Sequence, residues 1–177
     1  MRRGDIFLYS GSGLIPWLIK KVTKSQWSHA GWVTKDLPAA RDVVEANAGG
    51  VEASPGFPYP IEKCAFIRLK VPQAKTEECL VFAEGKVGAP YDYKLFLGLF
   101  WRWIRGWKRK KDVADWSSGY ICSELVATPV LQFCGISLAP VGVSVQNTTP
   151  EDIWQFATMN PSWADLVSVF GKTPGGP

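Results

Sequence analysis

Ser117-Ser118-Gly119-Tyr120-Ile121-Cys122-Ser123-Glu124-Leu125-Val126-Ala127 reads as the start of a helix. A serine at 117 or 118 can accept hydrogen bonds from the first backbone N–H groups, and Glu124 falls in the first turns, where the helix dipole favours an acid. Ile121, Leu125 and the apolar run from Val126 to Val130 supply a face with helical spacing. Cys122 therefore sits in a first turn, where the positive end of the dipole raises the thiolate fraction of a cysteine. An imidazole brought near such a thiol turns it into a nucleophile. His29 is the sole histidine, so any Cys/His hydrolase chemistry in this chain has to use it.

Working outward, His29 opens Ser28-His29-Ala30-Gly31-Trp32-Val33-Thr34, a strand by residue type. A polar loop separates it from Asp42-Val43-Val44-Glu45-Ala46, a second strand, and the two suit an antiparallel hairpin. If Val33 faces Val43, then Gly31 faces Glu45 and His29 faces Asn47. A slip of two residues puts Glu45 opposite His29. Either register leaves His29 and Glu45 on one face, because side chains alternate with period two; a slip of one separates them. A carboxylate flanked by Val-Val and Ala must face water or find a partner. Glu45 is therefore the candidate to orient the imidazole, with Asn47 as fallback.

Further strands are expected at Gly4 to Tyr9, at Gly50 to Ala53 and at Cys64 to Lys70. Leu14 to Thr23 has helical spacing with Pro16 in its first turn. The intervening Ser10-Gly11-Ser12-Gly13 lacks the Lys-Ser/Thr of a P-loop and reads as a turn. Thr76 to Val87 reads as a helix capped by Thr76 and stopped at Gly88, and Ser54 to Pro60 as a proline-rich loop. Pro129 is expected to kink or shorten the Cys122 helix. Ser137 to Asn147 reads as irregular or strand, Leu166 to Phe170 as ambiguous. Thr149-Pro150-Glu151-Asp152 is a strong helix start, and Asn160-Pro161 a stop.

Composition narrows the class. With 177 residues, 46% hydrophobic, the chain can bury the core of one domain, read here as residues 1–170 with a flexible tail at 171–177. The net charge of +4 is concentrated in the run from Arg102 to Lys111, inside a Trp-rich insert at about 94–116. Leu95, Phe96, Leu99, Phe100, Trp103, Ile104 and Trp107 repeat there at helical spacing, too short and too charged to span a bilayer. This stripe suits a helix on the core, or a lid or interfacial segment touching lipid or substrate through Trp103 and Trp107. Nucleic acid is not expected as a partner, since no second basic stripe exists. Cys64, Cys79, Cys122 and Cys134 include no Cys-x-x-Cys pair, so neither a metal site nor any other cofactor is expected. No signal peptide is visible, which makes a cytoplasmic location with reduced thiols the expectation.

Six motifs in order give the chain a resemblance. Gly4-Asp5-Ile6, Trp27-Ser28-His29-Ala30-Gly31, Val44-Glu45-Ala46, Pro90-Tyr91-Asp92-Tyr93, Cys122-Ser123-Glu124-Leu125-Val126 and Thr149-Pro150-Glu151-Asp152-Ile153 resemble the permuted, YiiX-like branch of the NlpC-type papain-like cysteine hydrolases. The resemblance covers roughly residues 4 to 155. It implies an α+β fold, circularly permuted and papain-like, with a small antiparallel barrel-like sheet packed against the helix that carries the nucleophile. It implies Cys122 as nucleophile, His29 as base and Glu45 as orienter, in the order His, polar residue, Cys. Tyr91, Tyr120 and Ser28 lie in or beside these motifs and are candidates for contacting substrate. Tyr120 and the backbone N–H of Cys122 are candidates for holding an oxyanion. The expected activity is cleavage of an amide, such as a peptide or a cell-wall fragment, in a bacterial or phage protein. The alternatives are a thiol acyltransferase or esterase acting on acyl lipids, and a non-catalytic module binding membrane or cell wall.

Overall fold

Hydrophobic alternation builds the sheet. A computed structural model describes residues 1–35, 42–94, 97–98, 101 and 119–169. In chain order its strands are β1 (Ile6–Tyr9), β2 (His29–Val33), β3 (Val43–Asn47), β4 (Gly50–Ser54), β5 (Cys64–Leu69) and β6 (Ala164–Val169). Its helices are α1 (Leu14–Thr23), α2 (Gln73–Glu84), α3 (Cys122–Cys134) and α4 (Pro150–Met159). All strand pairs are antiparallel, in the order β4-β3-β2-β1-β5-β6. The chain is thus α+β, and the sheet has two edges, β4 and β6, rather than the closure of a barrel.

Both sheet faces are buried, and alternation decides which residue goes where. Ile6, Leu8, Ala30, Trp32, Val44 and Ala46 join Leu80 of α2, Leu125 and Val126 of α3 and Ile153 of α4 in the main core. Phe7, Val33, Val43 and Phe66 face the other way, under Phe57, Tyr59 and Ile61 from the segment between β4 and β5. The β2–β3 register pairs Val33 with Val43 and Gly31 with Glu45. Phe7 pairs with Gly31 and Tyr9 with His29. His29, Glu45 and Phe7 therefore share the second face. Gly31 is needed there, since a Cβ on it would lie 2.6 Å from the Phe7 ring and 3.0 Å from the Val44 carbonyl.

Two expectations are corrected and one ambiguous stretch is resolved. The second helix starts a turn before Thr76, because Pro72, with φ of −53°, opens it and takes the N–H of Lys75 and Thr76 on its carbonyl. Thr76 instead packs its methyl against Gly4, whose φ of +88° and missing Cβ allow the approach. Pro129 neither shortens nor stops α3, which runs on to Cys134. A proline at 129 has no N–H for the Leu125 carbonyl, and that carbonyl accepts from the Trp32 indole at 3.3 Å. Leu166 to Val169 belong to β6, paired along β5 with a bulge between Phe66 and Ile67.

The expected caps Ser117 and Ser118, most of the 94–116 insert with Trp103 and Trp107, and the 171–177 tail lie outside the described residues. Among those described, no helix is long and apolar enough to cross a membrane.

Candidate active site

His29 is the first residue of β2, so its ring lies at the end of the strand, where the start of α3 arrives. The backbone of α3 is prepared there by Ile121 at the N-cap, whose N–H donates to the Glu124 carboxylate at 3.4 Å. Cys122 takes the first helical position, 8% exposed. Its N–H belongs to the set that an α-helix leaves without an intrahelical acceptor. The Cys122 side chain lies close enough to the His29 ring to help raise its pKa. His29 Nε2 is hydrogen-bonded to Glu45 Oε2. With Nε2 held by the carboxylate, Nδ1 is the nitrogen left for the thiol.

Glu45 is fully buried on β3, the strand next to the β4 edge. It has two partners: the Tyr59 hydroxyl donates to the same Oε2 that holds His29. Burial first, then the charge of Glu45, keeps the Tyr59 phenol protonated far above its ordinary range, so it remains a donor. Tyr59 stacks on Tyr9, with ring centroids 4.3 Å apart, and lies 5.6 Å from the His29 ring. Burial alone would push the imidazole toward its neutral form. The hydrogen bonds and charges of Cys122 and Glu45 outweigh it and hold the His29 pKa up at about 10. The His29 ring is therefore held as an imidazolium at neutral pH.

The remaining candidates divide. Tyr91 lies close enough to Cys122 to feel its charge; burial first, then that charge, hold its phenol protonated. It bridges to Tyr120 in parallel. Tyr120 turns its ring onto α2, edge-on to Phe82 at 6.3 Å, with Lys86 Nζ 5.5 Å above it. Ser28 is buried and structural in its contacts: its Oγ accepts from the Gly11 N–H at 2.9 Å and donates to the Tyr9 carbonyl at 3.3 Å. Asn47 shapes the β3–β4 turn, bonding the Gly49 N–H and Glu52 rather than the imidazole. Burial pushes the Cys64 thiol up to about 12, and the thiols of Cys79 and Cys134 also rise.

Tyr59 escaped the sequence reading. It lies in a loop with three prolines, 14 residues from Glu45. The available signal was the pair Phe57 and Tyr59 spaced by two just ahead of a strand, two aromatics too large to be left in water.

A cavity of about 650 Å³ is lined by Ser10 to Leu14, Trp17, Lys20 and Lys63, and the Gly11 N–H in that lining is held by Ser28. Cys122, His29 and Glu45 do not line it.

No family model and no curated protein matches the sequence. Among solved structures, the fold is similar to the crystal structure of the metalloprotein YiiX from Escherichia coli O157:H7, a DUF1105 protein. The match has a TM-score of 0.55 and 18% identity, over 78% of this chain and 69% of that one. The likeness is one of fold. Among the described residues here, no group of three His, Cys, Asp or Glu side chains is arranged to hold a metal ion. Among the described residues, Cys122, His29 and Glu45 do not form such a group.

Proposed function

We propose that this chain is a cysteine hydrolase of the permuted papain-like kind, cleaving an amide through Cys122, His29 and Glu45. The observation that carries the reading is the relay itself: a first-turn cysteine on an imidazole whose other nitrogen is fixed by a buried carboxylate. The Cys122 thiolate attacks the carbonyl carbon, and the developing oxyanion faces the Cys122 N–H at the start of α3. Imidazolium Nδ1 gives its proton to the leaving amine as the C–N bond breaks, leaving a thioester on Cys122. His29 then takes a proton from water, whose oxygen attacks the thioester. The acid departs and the thiolate–imidazolium pair is restored. Glu45 holds the ring in place through the cycle, and Tyr59 holds Glu45. The order His29, Glu45, Cys122 along the chain supports the permuted arrangement.

The test is a panel of activated amides and acyl esters, with intact-protein mass spectrometry to trap the acyl-enzyme. A stable adduct on Cys122 that vanishes in Cys122→Ala supports the reading. Turnover that survives that substitution, or acylation elsewhere, refutes it.

One observation favours a second reading, acyl transfer or ester cleavage at a lipid surface. The first turn of α1 leaves Leu14 77%, Ile15 60% and Trp17 53% exposed, and Leu14 and Trp17 rim the cavity beside Ser28. Lys20, Lys21 and Lys24 follow, and no acid occurs from Ile6 to Lys35. Such a basic, apolar tip suits an anionic membrane face. Binding to phosphatidylserine vesicles that is lost in Leu14→Ser/Trp17→Ser would favour lipid substrates; no binding would leave the amide reading alone.

A further inference from the structure

Away from the catalytic thiol, a second pair of cysteines is brought together by the packing of α2 on α3. Cys79 Sγ and Cys134 Sγ lie 3.8 Å apart, although 55 residues separate them in sequence. Cys79 is buried in the middle of α2; Cys134 is the last residue of α3 and half-exposed. Both are free thiols. Burial raises both thiols above the ordinary cysteine range, and Lys75, one turn before Cys79, opposes that rise at both sulfurs. Its own partner is Glu78, at 2.9 Å.

We propose that Cys79 and Cys134 form a thiol–disulfide exchange site whose co-reactant is a small disulfide of the glutathione class. The closed form pins α2 to the C-terminal end of the helix that carries Cys122. A disulfide needs sulfurs about 2.05 Å apart, so closing the present gap takes a side-chain rotation and a slight approach of two helices already in contact. The other two cysteines are not competitors. Cys64 is buried and its S–H donates to the Pro60 carbonyl at 3.3 Å. Cys122 stands at the opposite end of α3, about 18 Å away at the rise of an α-helix.

The exchange balances in two steps. The exposed Cys134 thiolate attacks one sulfur of oxidised glutathione, that S–S bond breaks, and one glutathione thiolate leaves and takes up a proton. Cys79 then gives up its proton and attacks the Cys134 sulfur of the mixed disulfide, expelling the second glutathione thiol. Two electrons pass from the cysteine sulfurs to glutathione, giving one protein disulfide and two glutathione thiols. The new bond closes a loop that contains Tyr91, Tyr120 and Cys122, and so restrains the unfolded chain.

The experiment is incubation of the full chain with oxidised glutathione, followed by non-reducing peptide mapping and a thermal melt. The expected result is a linked peptide pair containing Cys79 and Cys134, a chain two hydrogens lighter, and a Tm raised by roughly 5 °C or more. Dithiothreitol should reverse both, and Cys134→Ser should abolish the link. A glutathione adduct that persists on Cys134 overturns the proposal, as do two free thiols at 79 and 134 after oxidation. The Cys79–Cys134 peptide link is read apart from any adduct on Cys122, so the site stands or falls separately from the hydrolase reading.

Discussion

Replacing Glu45 by Gln removes the charge that holds His29 while preserving the shape of the site. His29 Nε2 and the Tyr59 hydroxyl both meet one oxygen, Oε2. The amide oxygen of glutamine can accept both, so the geometry survives and only the negative charge is lost. His29 stands at about 10 against an ordinary value of 6.5, held up by Cys122 and Glu45 against the pull of burial. An opposite charge in contact typically accounts for roughly 1–3 pH units, so Glu45→Gln should bring the titration down to roughly 7–9. That is about 1.4–4 kcal/mol of imidazolium stabilisation. The sign for folding follows from the raised value. The contribution is fully present below pH 6.5 and is lost as pH rises through about 10. The stability gap between parent and variant should therefore be larger at pH 6 than at pH 10.5 in urea titrations. His29 is the only histidine, so its ring signals in an NMR pH titration need no assignment. A parent midpoint near 6.5, or an unchanged midpoint in Glu45→Gln, would refute the reasoning.

Other substitutions probe the supports. Tyr59→Phe removes one of the two partners of a buried carboxylate; a loss of about 1–3 kcal/mol in urea and a lowered rate at fixed pH are expected. Trp32→Phe strands the Leu125 carbonyl that Pro129 cannot serve. It should cost about 1–3 kcal/mol, part of which Pro129→Ala restores by supplying an N–H, and a double-mutant cycle reads the coupling. Gly31→Ala drives a methyl into Phe7 beside His29 and should destabilise by about 1–3 kcal/mol with a drop in rate, measured by thermal melts and turnover.

Much of the site's frame was legible because it depends on local rules. The Val33–Val43 register follows from hydrophobic alternation and puts His29 and Glu45 on one face; Thr149 and Pro150 start a helix by capping chemistry alone, and Cys122 opens α3. What escaped depends on long-range partners. The continuation of α3 past Pro129 needs an indole 93 residues away, and Tyr59 needs the Glu45 carboxylate across the sheet. The two candidate registers also differed in what stood opposite His29; the one that formed pairs Gly31 with Glu45. Tyr120 sits two residues before the thiol, yet Phe82 of α2 and Lys86 just beyond that helix claim its ring.

The central claim is a thiolate–imidazolium pair at Cys122 and His29. Its most direct test is the rate of iodoacetamide labelling at each of the four cysteines against pH, read by mass spectrometry, in the parent and in His29→Ala. The account predicts that Cys122 is labelled well ahead of Cys64, Cys79 and Cys134 below about pH 7, and that His29→Ala removes the lead. Labelling of Cys122 that rises only near pH 8.5, as for a free thiol, and is indifferent to His29 would contradict it.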